Sequence, residues 1–529
     1  MMHVIAYDVG TTGVKSCLIK IGEDITLVAG EYETYGLTIL KNGGAEQDPD
    51  EWWEALKVTT RRLLEKTKID PKEIAGISFC SQMQGLVLVD ENGKALRPAM
   101  SYMDQRAGEE MKAVEQHGLC IAGVNAIMLL KSLMATNAAS TSVKDPLWKY
   151  KWVEKHEPDI FAKVHKWLDV KEYLICRMTG ECVMTYDSAY STFLYDTRKG
   201  KEGWSESLCK MYGVKIEHLP RLIGCSEVAG VLREDAAAEL GLSIGTKVYG
   251  SGGDATLIGV GAGSSGLGET HIYWGTSGWV GTVIDKQVVD IDAMIAGIVG
   301  AQADKYNYFA EMETAGKCFE WVKDHLILSE VDEFYKTQRE LPKEERYTNL
   351  YDFMSTVIDQ VEPGSGGVIF TPWLHGNRCP FEDPKAAGMF FNIQIGTRRR
   401  QMIRAVIEGV CYHLRWMLEC EDKKIKTSQV VRFVGGGAVS AVTCQILADI
   451  TGRTIETVED TKDVGAIGAA MLVAVGSGEF TDLPSMKGLI AVEHVYQPNP
   501  DHKAIYDKNY DVFKRLYKAN KKNFELLNS

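Results

Sequence analysis

The first segments of the chain alternate short apolar runs with turn residues. Residues 3–7 and 14–19 are apolar runs on either side of Gly10–Gly13 (GTTG), a pattern that predicts a β-hairpin. Residues 50–66 instead carry apolar side chains at helical spacing, and two more apolar runs before residue 90 are predicted as strands. Strands and helices mixed in this way predict an α/β fold.

The same patterns continue through the rest of the chain. Residues 119–145, which are rich in Ala, Ser, Thr and Met, are predicted as a helix followed by a flexible connection. Two later strands are predicted at 247–249 and 430–434. Further helices are predicted at 147–154, 171–178, 235–240, 397–418, 439–450 and 464–475.

One short sequence recurs halfway along the chain. Gly10–Gly13 returns as Gly275–Gly278 (GTSG), at an offset of 265 residues and again between short β-rich runs. The repeat indicates two related domains that each present a hairpin turn to a shared cleft. The boundary is predicted where the strand at 247–249 meets a glycine-rich turn, which gives domains of residues 1–249 and 250–529.

Composition and charge narrow the class of protein. Hydrophobic residues make up 45% and charged residues 25% of 529 residues, which is typical of globular proteins. The net charge of −13 argues against a nucleic-acid partner, because phosphate binding needs clustered Lys and Arg. The twelve cysteines form no CxxC pair, a pattern typical of reduced thiols. With neither a signal peptide nor a membrane-spanning apolar run visible, we expect a cytoplasmic protein with no membrane partner.

The first turn has the residues of a phosphate site. Glycines let the backbone approach a polyphosphate, and the exposed N–H groups of such a turn bind anions. Thr11 and Thr12 add hydroxyl donors, and Asp8 at the strand end is placed to hold Mg²⁺ through water. A plain hairpin with a capping Asp is the alternative. The sequence lacks the GxxxxGK[ST] motif, which excludes the P-loop class.

The second turn and a later glycine cluster complete the predicted nucleotide site. Gly275 and Thr276 offer a second set of N–H and O–H donors, and two facing turns would hold a nucleoside triphosphate between the domains. Gly435–Gly437, between a predicted strand and helix, fit close approach to a flat ligand such as adenosine. The segment GGGAVS lacks the third glycine of the dinucleotide fingerprint, which argues against NAD.

Asp254 is the candidate catalytic base. It follows a predicted strand and Gly252-Gly253, so its carboxylate is expected to project from the strand end into the interdomain cleft. Phosphoryl transfer to a hydroxyl needs a group that accepts the hydroxyl proton. A turn or helix-capping role is the alternative.

A polar cluster after the fourth predicted strand is the candidate sugar site. Tyr102, Asp104 and Arg106 could satisfy the hydrogen bonds of buried sugar hydroxyls, and a structural Asp–Arg ion pair is the alternative. Gln82 and Gln84, directly after the third predicted strand, could add amide contacts.

Taken together, these motifs resemble the FGGY family of carbohydrate kinases. The matching segments follow the family's order along nearly the whole chain: DVGTTGVK (8–15), SQMQG (81–85), YMDQR (102–106), DVKEYL (169–174), RMTGE (177–181), GNRCP (376–380), EGVCY (408–412), GGGA (435–438) and AIGAA (466–470).

The resemblance implies a fold and a set of roles. It implies two RNase H-like domains of the actin/hexokinase type, with ATP and a sugar in the cleft between them. Asp254 is the implied base, and Asp8 and Asp254 are the implied ligands of Mg²⁺. The implied ATP-binding residues are Gly10, Thr11, Thr12, Lys15, Gly275, Thr276, Gly316, Gly436 and Gly437. The implied sugar-binding residues are Gln82, Met83, Gln84, Tyr102, Asp104, Arg106 and Asp254.

The implied reaction is phosphorylation of a sugar hydroxyl by ATP, with a ketopentose such as D-xylulose as the expected substrate. Other ketoses, erythritol and glycerol are the alternatives. An Hsp70-like ATP-driven protein of the same superfamily is a further alternative, but it has no need for Asp254 or the 102–106 cluster. A homodimer is expected from the resemblance alone.

Three positions depart from the family members that act on D-xylulose. Those members usually have His where this chain has Gln84 and Trp where it has Tyr102. They also tend to carry Asn directly after the catalytic Asp, where this chain has Ala255. All three departures fall on the substrate side, so the sugar is expected to differ. Residues 119–145 also resemble an insertion near this side.

Overall fold

Two mixed β-sheets with flanking helices organise the protein. The computed structural model describes residues 1–121, 124–342 and 346–528. Strands of the first half are β1 (Met2–Val9), β2 (Gly13–Ile21), β3 (Ile25–Thr34), β4 (Thr38–Ile39), β5 (Ala45–Gln47), β6 (Ile74–Ser81), β7 (Val87–Val89), β8 (Ala99–Met100), β9 (Cys120–Ile121), β10 (Val124–Asn125), β11 (Lys166–Leu168), β12 (Val183–Thr185), β13 (Tyr195–Asp196), β14 (Gly203–Trp204), β15 (Arg221–Ile223), β16 (Val228–Val231), β17 (Lys247–Tyr249) and β18 (Gly252–Gly253). Its helices are α1 (Pro49–Thr67), α2 (Gly108–Glu115), α3 (Ala126–Thr136), α4 (Pro146–His156), α5 (Pro158–Phe161), α6 (Val170–Thr179), α7 (Tyr186–Ser191), α8 (Glu206–Tyr212) and α9 (Glu234–Leu240).

The second half contains fewer and longer elements. Its helices are α10 (Asp254–Gly261), α11 (Gly316–His325), α12 (Leu328–Glu340), α13 (Leu350–Asp359), α14 (Arg399–Asp422), α15 (Ala441–Thr451), α16 (Val464–Gly476) and α17 (Lys503–Leu527). Its strands are β19 (Thr270–Trp274), β20 (Gly278–Ile284), β21 (Val289–Asp290), β22 (Ile295–Val299), β23 (Tyr306–Met312), β24 (Ile369–Thr371), β25 (Met389–Phe391), β26 (Val430–Val434), β27 (Thr454–Val458) and β28 (Val492–Tyr496).

Both sheets share one central topology. The first has the order β3-β2-β1-β6-β17-β16, and β18 pairs with the end of β6. The second has the order β23-β20-β19-β26-β27-β28, extended by β22 and β21. In each of these six-strand orders the third and fourth pairings are parallel and the others antiparallel, and β18 is also parallel to β6. The repeated turn is therefore part of a repeated sheet, and the predicted pair of RNase H-like domains is confirmed.

Local sequence explains how the first sheet is covered. Helix α1 begins at Pro49, and the carboxylate of Asp48 accepts the N–H of Asp50 at 2.9 Å, which caps the helix start. The helix packs against β2 and β3, and it also buries Trp52, whose ring lies against Tyr173 of α6, and Trp53, whose indole N–H donates to Glu239 of α9. Complete burial of one such large side chain stabilises the fold by about 2–3 kcal/mol.

A separate apolar core lies between the sheets, around helices α10 and α16. A Cβ on Gly261 would lie 1.8 Å from the carbonyl oxygen of Val464, and a Cβ on Gly468 would lie 2.4 Å from that of Leu257. Because real Cβ atoms do not approach other atoms this closely, only glycine permits the two helices to cross at this distance.

The predicted elements agree with the observed ones to within a few residues, and both hairpins are confirmed. In the 119–145 segment a helix is present as α3, while residues 122–123 lie outside the described residues. The strand β18 keeps Gly252 and Gly253 in the first sheet, and the domain boundary at 249/250 stays a prediction. Within the described ranges, every helix is too short or too polar to cross a bilayer.

Candidate functional site

The strand ends of the first sheet carry the acidic residues of the candidate site. In register, Asp8 of β1 lies beside Cys80 of β6, and Gly252 of β18 lies on the other side of Cys80. Asp254 follows as the first residue of α10. Parallel pairing on β6 therefore brings Asp8 and Asp254 to one edge of the sheet, at the carboxyl ends where α/β proteins bind ligands.

Burial and like charge raise the pKa of both carboxyl groups. The pKa of Asp254 is raised to about 7, first by burial and then by the charges of Asp8 and Glu311, against the N–H of Ala255. The pKa of Asp8 is raised to about 6 by burial, with Lys15 opposing the shift and Asp463 adding to it. A carboxyl group whose pKa lies near neutrality is suited to accept a proton at physiological pH.

A charged pair closes the side of this edge next to α16. The Nζ atom of Lys15 lies 2.8 Å from Oδ1 of Asp463 and donates to the carbonyl oxygen of Lys462 at 3.2 Å. Lys15 is one of the predicted ATP-binding residues, whereas Asp463 is absent from the predicted site. The available signal was its place just before the AIGAA segment.

The first turn is held by side chains from outside its own hairpin. Tyr35 donates its O–H to the carbonyl oxygen of Gly10 and its N–H to that of Thr12 at 3.1 Å. Gln47 donates to the carbonyl oxygen of Thr11 at 2.7 Å. Three carbonyl groups of the turn are thus turned toward the protein, and Thr12 is exposed. Sequence reasoning missed Tyr35 and Gln47, which lie in segments without a motif.

The second turn is held by the start of a helix. The N–H groups of Gly316 and Lys317 donate to the carbonyl oxygens of Gly275 and Thr276 at 2.8 and 3.2 Å. A Cβ on Gly316 would lie 2.4 Å from the carbonyl oxygen of Gly275. The structure therefore brings together Gly275, Thr276 and Gly316, three of the predicted ATP-binding residues.

The glycine cluster lies against Trp274, at the end of the strand that leads into the second turn. Gly435 has φ +93°, and a Cβ there would lie 2.6 Å from the carbonyl oxygen of Trp274. A Cβ on Gly437 would lie 2.6 Å from the indole ring, whereas Gly436 has more room. These glycines therefore share one strand end with the second turn, as a nucleotide site between them requires.

Two buried charges hold the turn after β6. Gln84 has a left-handed backbone, with φ +63°. Asp169 accepts the N–H groups of Gln84 and Gly85 at 2.8 and 2.9 Å, and Lys149 donates to the carbonyl oxygen of Gln84 at 2.7 Å. Burial lowers the pKa of Lys149 to about 8. The backbone of this predicted sugar-binding turn is therefore preorganised.

The two residues before Gln84 differ in their surroundings. Met83 lies against the loop of the candidate base, since a Cβ on Gly253 would lie 2.0 Å from its Sδ atom. Gln82 is buried and donates its amide to Gln47 at 2.9 Å. Its Oε1 atom has no partner within the part of the chain that the structure describes. Gln82 thus connects this turn, through Gln47, to the first hairpin.

The predicted sugar cluster divides in two. The hydroxyl of Tyr102 lies 3.3 Å from Oγ1 of Thr11, and the side chain is 38% exposed. Asp104 is fully buried, and Arg106 donates to Asp104 at 2.8 Å and to Glu46 at 2.6 Å. The alternative of a structural ion pair describes Asp104 and Arg106 well. Their contact with a sugar stays a prediction.

Sequence reasoning missed a charged pair from the second domain. Arg378 donates to Glu311 at 2.9 Å, and both side chains are partly exposed. The charge of Glu311 contributes to the raised pKa values of Asp254 and Tyr102, so the pair lies near the candidate base. Arg378 belongs to the GNRCP segment, but nothing in the sequence singles out Glu311.

The arrangement can support transfer of a phosphoryl group. It provides two turns with backbone donors, a half-buried lysine ammonium beside the first turn and two adjacent carboxylates at a strand edge. Among residues 1–121, 124–342 and 346–528, no three His, Cys, Asp or Glu side chains form a metal-binding cluster. A cation at this edge would therefore keep water or ligand oxygens in its coordination shell, as Mg²⁺ does.

Comparisons with known proteins agree with this geometry. The N-terminal domain model of the FGGY family of carbohydrate kinases matches residues 3–261, and the C-terminal domain model of that family matches residues 271–477. The xylulose kinase of Staphylococcus epidermidis is 28% identical over 521 residues, which cover 98% of this chain and 97% of that protein. The gluconokinase of Bacillus subtilis is 27% identical over 522 residues, which cover 97% of this chain and 95% of that protein.

A solved structure extends the similarity to the whole fold. The xylulose kinase of Lactobacillus acidophilus superposes with a TM-score of 0.85 at 24% identity, covering 99% of both chains. This similarity shows the fold along the whole chain.

Proposed function

Because the chain belongs to the FGGY family of carbohydrate kinases, we propose that it transfers the γ-phosphoryl group of ATP to a hydroxyl of a small neutral sugar. A ketopentose such as D-xylulose is the first candidate, since a xylulose kinase is similar to this chain over nearly its full length. The observation that carries the proposal is Asp254, a carboxyl group with a raised pKa at the strand edge beside Asp8 and Met83.

In the proposed reaction Asp254 accepts the proton of the attacking sugar hydroxyl. The base must be charged before it can accept a proton, and a pKa of about 7 leaves a substantial charged fraction at neutral pH. Its neighbour Ala255 donates an N–H to the Asp254 carboxylate at 2.8 Å, which fixes the orientation of that carboxylate. Domain closure over both substrates excludes water, so that ATP is not simply hydrolysed.

We assign ATP to the two turns and the glycine cluster. Lys15 and the N–H groups of the first turn are placed to contact phosphate, and the surface around Trp274 accommodates the nucleoside. Asp8 and Asp254 fit Mg²⁺, because each raises the other's cost of ionisation and a divalent cation offsets that repulsion. When bound, Mg²⁺ neutralises charge on the phosphate oxygens.

The substrate side supports a neutral sugar over a sugar acid. Asp254, Asp8 and Glu311 give this part of the cleft a negative potential, and Arg378 is already paired with Glu311. Gln84 and Tyr102 differ from the residues usual in members that act on D-xylulose. Other ketoses, erythritol and glycerol are therefore the next candidates.

The cellular setting follows from the thiols. All twelve cysteines are free in the structure, as a reducing compartment requires, and we propose that the enzyme acts in the cytoplasm. Whether it forms a homodimer stays a prediction.

The test is an ADP-release assay with MgATP across ketopentoses, ketohexoses, erythritol, glycerol and gluconate. We expect strong stimulation by one neutral compound and a loss of about 10²-fold in turnover for Asp254→Asn, with ATP affinity retained. Asp159→Asn, which changes an exposed carboxylate on α5, is the matched control. Stimulation by gluconate alone would overturn the neutral-sugar assignment, and normal turnover of Asp254→Asn would overturn the assignment of the base.

A further inference from the structure

A buried carboxylate outside the cleft holds the peptide that precedes the candidate base. Asp187, on α7, is 2% exposed, and its Oδ2 atom accepts the N–H of Gly253 at 2.9 Å. Gly253 is the residue directly before Asp254. The position of this one peptide group therefore sets where the chain of Asp254 begins.

The rest of the loop is also closely constrained. Ser251 has a left-handed backbone with φ +72°, and its Oγ atom accepts the N–H of Phe79 and donates to the carbonyl oxygen of Tyr249, each at 2.9 Å. The Ser251 N–H donates to the carbonyl oxygen of Cys225 at 2.8 Å. Asp187 is the side chain that continues this support to the residue next to the base.

The charge of Asp187 is maintained by a buried lysine. Lys171 is 1% exposed, and its Nζ atom donates to Thr185 Oγ1 at 2.6 Å and lies 3.9 Å from Oδ1 of Asp187. Thr185 in turn donates its hydroxyl to Asp187. Burial alone would raise the pKa of Asp187, but Lys171, Thr185 and the Gly253 N–H together lower it. Asp187 therefore remains ionised and acts only as an acceptor.

A second carboxylate completes the cluster without reaching the loop. Glu172 pairs with Lys171, and its Oε1 atom lies 3.3 Å from Oγ1 of Thr185. The two carboxylates thus share one ammonium group, but Asp187 alone accepts from Gly253. This difference separates the stability of the buried cluster from its effect on the base.

We propose that Asp187 is a positioning residue: paired with Lys171, it fixes the Gly253 peptide and thereby the carboxylate of Asp254. The inference rests on the proposed function for its kinetic consequence. A base displaced by about 1 Å loses on the order of 10²-fold in rate. Substrate affinity should change little, because Asp187 contacts neither turn of the ATP site.

Two variants of Asp187 are expected to lower kcat to different extents. Asp187→Ala removes the acceptor and should lower kcat by about 10²-fold. Asp187→Asn keeps one oxygen that can accept from Gly253, but its amino group opposes Lys171 and Thr185, so we expect a loss of about 10-fold. The KM values for ATP and for the sugar should stay within about threefold. Asp187→Asn also keeps the test decisive if the alanine variant does not fold.

The matched control is Glu172→Gln, which perturbs the same buried cluster and leaves the bond to Gly253. We expect Glu172→Gln and Asp187→Asn both to lower the thermal unfolding midpoint, and only the Asp187 variants to lower kcat. Equal losses of kcat in Glu172→Gln and Asp187→Asn would show a merely structural cluster and overturn the proposal. Normal kcat in a folded Asp187→Asn would do the same.

A second readout is independent of the substrate. Amide hydrogen exchange of a peptide spanning residues 250–257 should be faster in Asp187→Asn and unchanged in Glu172→Gln. Unchanged exchange in both variants contradicts the inference. If D-xylulose and every other panel compound fail to stimulate ADP release, the proposed function fails, while the exchange measurement still decides the role of Asp187.

Discussion

The two hairpin turns have nearly the same sequence and different chemistry beside them. In the first hairpin Asp8 and Lys15 face each other, one pair beyond Val9 and Val14, which close the turn. In the second, Tyr273 and Trp279 face each other, and their rings stack with centroids 4.0 Å apart. The first turn is therefore flanked by charge and the second by an aromatic pair.

The surroundings extend this contrast. The side chains of Tyr35 and Gln47, together with the Tyr35 N–H, hold the first turn, whereas backbone groups of Gly316 and Lys317 hold the second. The turn sequence thus places a hairpin in each sheet, although the Gly10 N–H donates to the carbonyl oxygen of Gly13 and the Gly275 N–H to that of Ser277. In the proposed function, these flanking pairs and neighbours would let one fold unit serve metal and phosphate at the first turn and the nucleoside at the second.

The largest expected effect comes from removing the charge beside the first turn. Asp8→Asn should lower turnover by about 10²-fold or more and raise the Mg²⁺ concentration needed for half-maximal rate, because one of two adjacent carboxylates is lost. Titration of the rate with Mg²⁺ at saturating ATP measures both. Asp24→Asn, an exposed carboxylate in the loop after β2, is the control. An unchanged Mg²⁺ requirement would place the cation elsewhere.

The free energy of unfolding is expected to depend on pH through two buried histidines of the second domain. Burial lowers the pKa values of His271 and His413 in the second domain to about 4, so both are neutral in the folded protein. As pH falls, the two histidines become protonated in the unfolded chain at a higher pH than in the folded protein. Stability is therefore lost as pH falls from about 6.5 toward 4. Between pH 7 and pH 5 the loss is about 2 kcal/mol for each histidine.

Urea unfolding at pH 7 and pH 5 measures this loss. His413→Gln keeps a donor for the carbonyl oxygen of Cys379, to which His413 is bonded at 2.7 Å, and removes the titrating group. The difference in stability between the two pH values should be smaller in this variant than in the unaltered protein. An equal difference would mean that folding does not lower the pKa of His413.

A kinetic effect of intermediate size is expected from Gly316, whose backbone packs against the second turn. Gly316→Ala should raise the KM for ATP about tenfold, because a Cβ 2.4 Å from the carbonyl oxygen of Gly275 must displace the turn. Gly396→Ala is the matched control, since a Cβ there meets nothing within 4 Å. Initial rates over a range of ATP concentrations decide the matter, and an unaltered KM would mean that the second turn does not contact ATP.

The smallest effect is expected from the lysine beside the first turn. Lys15→Met removes the cation that opposes the raised pKa of Asp8, so that pKa should rise further. The rate at pH 7 should fall about threefold to fivefold and recover in part at pH 8. Lys20→Met, farther along the same strand, is the control. A loss of rate that is the same at both pH values would argue against coupling between Lys15 and Asp8.

Much of the fold could be predicted because it depends on local pattern. The alternation around Gly10–Gly13 and Gly275–Gly278 specifies two hairpins, and helical spacing specifies α1 and α14 to within a few residues. Asp254 could be found because it follows a strand and two glycines. Asp187 and Glu311 could not, since their importance comes from contacts with residues that are distant in sequence. For Asp463 the only signal was its place just before the AIGAA segment.

The predicted sugar cluster also depends on a contact with a residue that is distant in sequence. Tyr102, Asp104 and Arg106 are adjacent in sequence and share a motif, yet only Tyr102 is substantially exposed. Whether a neighbouring carboxylate and guanidinium bind each other or a ligand depends on Glu46, which approaches from a different strand. A sequence motif indicates that polar residues are needed there, but not what they contact.

The crossing of α10 and α16 at Gly261 and Gly468 has a consequence for genetic screens. Asp254 is the first residue of α10, and Asp463 directly precedes α16, so the distance between these helices also sets the distance between the two carboxylates. Any side chain at position 261 or 468 forces the helices apart. A screen for loss of activity should therefore recover substitutions at two buried glycines that contact no ligand, and these would be mistaken for folding defects unless the purified variants were examined.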